Sequence, residues 1–201
     1  MICVIDYGMG NLRSVSKALE KQGGEVAVSS HPRDLEKADK LVLPGVGAFG
    51  HGMQELKKRK LVGPLRASLL SGKPFLGICL GMQLLFEEGE ESPGVAGLGV
   101  FPGNVPRFKS RGVKIPHMGW NAVKILRPVP ILKDIPEGSF FYFLHSFYPA
   151  PRDTSLVAAT CKYGDEAFAA VVGQGSIWST QFHPEKSQKA GLDLLRNFVL
   201  L

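Results

Sequence analysis

Cysteine is scarce in this chain. Three occur in 201 residues: Cys3, Cys79 and Cys161. An odd, widely spaced set with no export signal argues against a disulfide framework. No C-x-x-C pair is present, and the sequence predicts no metal site and no cofactor. No apolar run approaches the length of a membrane span, which excludes a helical membrane protein. The start, Met1-Ile-Cys-Val-Ile-Asp6, lacks a basic segment leading into a long apolar one. It reads as a buried strand and not as a secretory signal. A reducing cytoplasm is the expected location, where a thiol stays free. Basic residues interleaved with aromatics are also lacking. The net charge is +6, but the densest basic run, Lys57-Lys-Arg-Lys60, closes a helical pattern. Positive charge suits that end of a helix, so nucleic-acid binding is not expected.

What is present is ordinary in bulk. Hydrophobic residues make up 44% and charged residues 21%, as in a globular protein with one core. The whole chain, 1–201, is expected to be a single domain. Short apolar runs at Ile2–Ile5, Val26–Val28, Leu41–Leu43 and Phe75–Ile78 alternate with helical patterns. The helices are expected at Asn11–Lys21, Pro32–Lys37, Met53–Lys58, Leu61–Leu70 and Leu80–Glu87. This rhythm predicts parallel strands covered by helices on both faces. After Glu91 it breaks into short strands and Gly/Pro-rich turns. Strands are expected at Phe140–Leu144, Val157–Cys161, Ala169–Val172 and Ile177–Phe182, with a closing helix at Gln188–Val199. The fold class is α/β: an open, mostly parallel central sheet flanked by helices, with mixed strands in the second half.

The sharpest local feature is Gly77-Ile-Cys79-Leu-Gly81. A buried strand ends there and a helix begins. Glycines flanking one residue at such a junction form a nucleophile elbow, here with cysteine as the nucleophile. A helix N-terminus favours a thiolate, and its free N–H groups can hold an oxyanion. Cys3 and Cys161 lie mid-strand without such glycines and read as core thiols.

A thiolate nucleophile needs a base. Among the histidines, His183 in Gln181-Phe-His183-Pro-Glu185 stands out. Pro184 disfavours a helical conformation at His183, so the segment is expected to be extended. Residues two apart then face the same way, and Glu185 can orient the imidazole as a third triad member does. His31 and His51 read as surface residues. Pro44-Gly-Val-Gly47 follows a strand at the C-terminal edge of the sheet, the usual ligand edge. It reads as one half of an oxyanion hole, from Val46 and Gly47 with Gly45 beside them. The Leu80 N–H is the other half. Plain turn chemistry explains this pattern equally well. Gly8-Met-Gly-Asn11 lacks the third glycine of a dinucleotide fingerprint.

Taken together, these motifs resemble the class I, or triad, glutamine amidotransferases. The resemblance runs from end to end. It covers Ile5-Asp-Tyr-Gly-Met-Gly-Asn-Leu-Arg-Ser14, Leu43-Pro-Gly-Val-Gly-Ala-Phe-Gly50 and Gly77-Ile-Cys-Leu-Gly-Met-Gln-Leu-Leu-Phe86. It continues through Pro116-His-Met-Gly-Trp-Asn121, Tyr142-Phe-Leu-His-Ser146 and Gln181-Phe-His-Pro-Glu-Lys-Ser187. It implies a flavodoxin-like fold and the hydrolysis of L-glutamine through a cysteinyl thioester on Cys79, with His183 and Glu185. It implies that Gln83, Glu91 and the His145-Ser146-Phe147 turn hold the substrate, His145 by positioning rather than as a base. Phe147 stands where a tyrosine is expected, which removes one hydroxyl contact.

The first stretch and the His-Met-Gly-Trp-Asn stretch are similar to one branch of the family. Its members are glutaminase subunits that pass ammonia to a (β/α)₈-barrel cyclase subunit. That partner forms imidazole glycerol phosphate and a purine precursor in histidine biosynthesis. The likeness makes Trp120 and Lys186 interface residues of a heterodimer. Glutaminases of pyridoxal phosphate or purine nucleotide synthesis, and a non-catalytic module of the same fold, are the alternatives. The glycines at 45 and 47 also allow a peptide plane to turn, so an oxyanion donor could stay averted until a partner binds.

Overall fold

The computed structural model describes every residue except Arg111. The first half runs β1 (Ile2–Ile5), α1 (Leu12–Lys21), β2 (Val26–Ser29), α2 (Pro32–Lys37) and β3 (Lys40–Leu43). It continues through α3 (Phe49–Lys58), α4 (Val62–Leu70), β4 (Phe75–Ile78) and α5 (Leu80–Gln83). The second half holds β5 (Glu88–Gly89), β6 (Gly103–Val105), β7 (His117–Ile125), β8 (Phe140–His145) and β9 (Ala150–Pro151). It ends with β10 (Val157–Tyr163), β11 (Glu166–Gln174), β12 (Ile177–Thr180) and α6 (Gln188–Leu200).

Nine strands form one sheet in the order β2-β1-β3-β4-β12-β11-β10-β7-β8. Pairing is parallel from β2 through β12 and antiparallel from β12 to β8. The open sheet with mixed strands in its second half is the architecture expected. Along β1, Ile2 and Val4 join the core on one face, and Cys3 and Ile5 the core on the other. Burial on both faces explains why β1 is an unbroken apolar run. On the first face lie Val15 and Leu19 of α1 with Leu194, Leu195 and Phe198 of α6. On the second lie Leu35, Met53, Leu56 and Leu65 of α2, α3 and α4.

Several boundaries depart from expectation for physical reasons. The helix expected over Leu80–Glu87 stops at Gln83. The Leu85 and Phe86 N–H groups donate only three residues back, to Met82 O and Gln83 O, and the Glu87 N–H leaves the helix for Gly103 O. The acidic run after it is therefore not a helix end. Glu87 accepts from Gly103 N–H and Glu90 from Arg107 N–H, tying the segment to β6. α3 begins at Phe49, before the expected Met53. The Glu91 carboxylate accepts the Phe49 N–H at 2.8 Å, and Ser92 Oγ accepts the Gly50 N–H at 3.0 Å. These caps come from some 40 residues away and overcome two glycines in the first turns. β7 is a strand where none was expected. Its interior Gly119 and Asn121 hide a pattern that becomes a strand only by pairing with β8 and β10.

Candidate active site

β4 delivers Cys79 to the C-terminal edge of the sheet. Cys79 has φ 53° and ψ −107°, an unusual conformation for a residue with a side chain. Such a conformation costs about 1–3 kcal/mol and needs to be held in place. Cys79 N–H donates to Thr180 O at 2.7 Å, and its carbonyl accepts from Met82 and Gln83 N–H. The flanking glycines are required by close backbone approach. A Cβ on Gly77 would lie 2.8 Å from Gly81 O, and one on Gly81 would collide with Leu43 O. The elbow is thus pressed against both itself and β3.

β12 pairs in parallel with β4, Thr180 opposite Ile78. That register brings His183, just past β12, beside Cys79, just past β4. His183 is extended, but Glu185 lies in a single 3₁₀ turn, Pro184–Lys186, and not in the extended segment expected. The contact forms nonetheless: His183 Nδ1 to Glu185 Oε1 is 2.9 Å, with side chains 3% and 2% exposed. A carboxylate only accepts, so Nδ1 carries a hydrogen and Nε2 is the nitrogen free for proton exchange. Burial lowers the His183 pKa. Negative charge and hydrogen bonding at the Cys79 sulfur, then Glu185, outweigh that and raise it to about 10. No bond of ordinary length closes between Nε2 and the sulfur, since Nε2 is buried without a partner. The sulfur therefore acts on the ring chiefly by charge. The raised pKa favours a proton on the ring, where it can be given to a leaving group.

The β7–β8 hairpin curls over these strand ends. His183 N–H donates to Tyr142 O at 2.9 Å, and the Cys79 thiol faces Leu144 O at 3.8 Å. Gln181 Nε2 lies 3.6 Å from Cys79 Sγ. It is two residues before His183, so in an extended segment it shares the histidine's side. That spacing was the available signal for a residue the sequence reading did not assign.

The Leu80 N–H, the expected oxyanion donor, is occupied in this structure. It donates to the Gly45 carbonyl at 3.3 Å. The 45–46 peptide thus presents its oxygen to Leu80 and turns the Val46 N–H the other way. Val46 is 39% exposed, and Gly47 has φ 107°, which only glycine adopts without strain.

A cavity of about 290 Å³ opens beside the sulfur. It brings together Cys79, Val46, Gly47, Leu80, Gln83, Glu91, His145, Ser146 and Phe147, every substrate and oxyanion residue expected except Gly45. Gly45 is buried directly behind Val46. Ala48, Pro116 and Leu144 also line the cavity. They are small or apolar, and although each lies in a stretch that carries the family resemblance, none was assigned a role. Gln83 Nε2 is held by Phe147 O and Gln181 Oε1, both at 3.1 Å. Only its carbonyl oxygen can serve a ligand. His145 Nδ1 donates to Phe147 O at 2.8 Å, and its Nε2 accepts from His117 at 3.2 Å. Burial, above all, lowers the His145 pKa to about 3 and that of His117 to about 4. Both rings are neutral at pH 7, and His145 fixes the 145–147 turn.

Trp120 and Lys186 lie outside the cavity. Trp120 packs edge-on against Tyr142, and the Lys186 ammonium sits 5.8 Å above the same ring. A larger open groove of about 710 Å³, near residues 125–137, contains no cysteine or histidine. The chemistry places the site in the smaller cavity.

Residues 3–201 match the family described as glutamine amidotransferase class-I. The chain is 50% identical over 204 residues to the imidazole glycerol phosphate synthase subunit HisH of Syntrophotalea carbinolica, covering 98% of each chain. It is 50% identical over 203 residues to the protein of the same name from Thermosynechococcus vestitus, covering 100% of this chain and 96% of that one. Among solved structures, a chain of PurLQS from Thermotoga maritima superposes with a TM-score of 0.76 at 19% identity. That match covers 99% of this chain and 97% of the other and shows a common fold.

Proposed function

Because this chain belongs to the class-I glutamine amidotransferases, we propose that its cavity binds L-glutamine. We infer that the chain is the glutaminase subunit of an imidazole glycerol phosphate synthase, as the name of its HisH relatives supports, and that it works in the cytoplasm. The observation that carries the reading is Cys79 on its elbow at the cavity wall, with the hydrogen-bonded His183–Glu185 pair buried beside its sulfur. In this mechanism the Cys79 thiolate attacks the side-chain amide carbon. His183 protonates the departing nitrogen, ammonia leaves, and a thioester remains. A water then gives a proton to His183 and attacks the thioester, releasing glutamate and the thiolate. Glu91, pinned by the Phe49 N–H at the cavity rim, suits the substrate ammonium.

Ammonia released into neutral water is protonated and ceases to be a nucleophile, so a partner takes it directly. An apolar face beside the site supports such a partner. Met118 is 63%, Trp120 45% and Phe140 59% exposed on the β7–β8 hairpin. Register places Trp120 opposite Tyr142, and Lys186 lies next to them. The proposed partner is the (β/α)₈-barrel cyclase subunit of that synthase. The test is glutamate release from glutamine, measured with and without that partner and its nucleotide ligand. Turnover that rises stepwise is expected. Glutamine untouched under every condition would refute the reading, and equal stimulation by an unrelated synthase would refute the partner.

Within this mechanism Glu185 orients and His183 transfers protons. Glu185 Oε2 is buried without a partner, so an amide nitrogen there displaces no hydrogen bond, while the remaining oxygen can still accept from Nδ1. Glu185→Gln is therefore expected to retain at least about tenfold more turnover than His183→Ala, whose loss is on the order of 100- to 10,000-fold. Equal losses would show that the carboxylate charge itself is indispensable.

A further inference from the structure

Tyr7 carries a hydroxyl that the resting structure does not use. The residue follows β1 and is fully buried, yet its Oη has no hydrogen-bond partner. An unpaired buried hydroxyl is a cost that phenylalanine would avoid in the same space. The hydroxyl lies directly against the 45–47 turn. A Cβ on Gly45 would collide with Tyr7 Oη and come within 2.9 Å of Leu80 Cβ. Glycine at 45 therefore keeps the gap between the phenol and the backbone clear. Burial, and then the charge at Cys79, raise the phenol pKa above its ordinary value. The group is a donor at every working pH.

We propose that Tyr7 is a positioning residue for the oxyanion hole, its hydroxyl receiving the Gly45 carbonyl when the 45–46 peptide turns. The inference rests on the glutaminase reading. In the resting arrangement the carbonyl occupies the Leu80 N–H, and the phenol is idle. Turning the peptide alone would free Leu80 and bring the Val46 N–H toward the oxyanion. It would also strand a buried carbonyl, a loss comparable to the gain. A donor waiting behind Gly45 removes that loss. The orphaned hydroxyl and the occupied oxyanion donor are then two halves of one exchange: one hydrogen bond is broken, and one is made.

The test uses Tyr7→Phe in the full chain and a diazoketone analogue of glutamine, 6-diazo-5-oxo-L-norleucine. The Cys79 sulfur bonds to the diazo carbon, the thiol proton goes to that carbon, and N₂ leaves. A ketone oxygen is left on the substrate side chain, facing the Leu80 N–H. Thermal midpoints are read for both proteins, free and alkylated, with the adduct verified by mass. The free variant is expected to melt at or above the wild-type midpoint, because it loses an unsatisfied group. On alkylation it should gain about 2–4 °C less than wild type, the equivalent of one hydrogen bond in a chain of this size. In the activated complex its kcat should fall with KM for glutamine unchanged. A free variant that is destabilised would show an ordinary structural tyrosine and overturn the proposal. Equal gains on alkylation would overturn it too. Wild-type protein that forms no adduct at Cys79 would overturn the glutaminase reading and this inference with it.

Discussion

Cys79→Ala is expected to abolish glutamate release, while the complex still cyclises its nucleotide when ammonia is added. The expectation follows from geometry that only one of the three thiols possesses. Cys79 stands on the strained turn beside His183 and opens to the cavity. Cys3 and Cys161 are buried in the two cores, and burial, chiefly, raises their pKa values to about 11 and about 12. They remain protonated and inert. Cys3→Ala and Cys161→Ala should cost stability through lost packing and leave turnover per folded molecule unchanged. A Cys79→Ala protein that still turns over glutamine, measured as glutamate formed, would refute the mechanism. Loss of ammonia-dependent cyclisation in the same variant would instead point to a damaged interface.

The second large effect concerns the 45–46 peptide. With Gly45 O on the Leu80 N–H, neither the Leu80 nor the Val46 N–H faces a bound amide, and the isolated chain should be nearly silent. One missing oxyanion donor costs on the order of 100- to 1,000-fold in rate. Binding of the barrel partner and its ligand should recover at least that much. Val46→Pro removes the N–H that must turn inward, so the complex of this variant should stay near the resting rate. Circular dichroism and partner affinity should match wild type, since Val46 is at the surface and its N–H is not needed for folding. Full turnover by the wild-type chain alone would eliminate the gate. Normal stimulation of Val46→Pro would place it elsewhere.

The first half of the fold was legible because β1, β3 and β4 are unbroken apolar runs buried on both faces and α1 carries a clear apolar stripe. The nucleophile was legible for a related reason. Gly77 and Gly81 are dictated by backbone contacts so tight that no other residue fits, and such positions leave a mark in sequence. His183 and Glu185 were legible through Pro184, although the mark suggested an extended segment where a 3₁₀ turn stands. Features made by distant groups left no local mark. The cap that Glu91 places on α3 is one. The capture of the Glu87 N–H by Gly103 where α5 stops is another, and the pairing that turns 117–125 into a strand is a third. The orientation of the 45–46 peptide is likewise invisible, because two glycines permit both settings and only the surroundings choose.

The position of β12 has a consequence for synthesis on the ribosome. It is the last strand in the chain, yet it sits in the middle of the sheet, between β4 and β11. The base and its orienting carboxylate follow it, about a hundred residues after the nucleophile. At roughly 5–20 residues per second, Cys79 emerges several seconds to some 20 seconds before His183 exists. Until then the left and right parts of the sheet have no common neighbour, and the Thr180 carbonyl that pins the elbow is missing. The nucleophile and its base therefore meet only once β12 has inserted between β4 and β11.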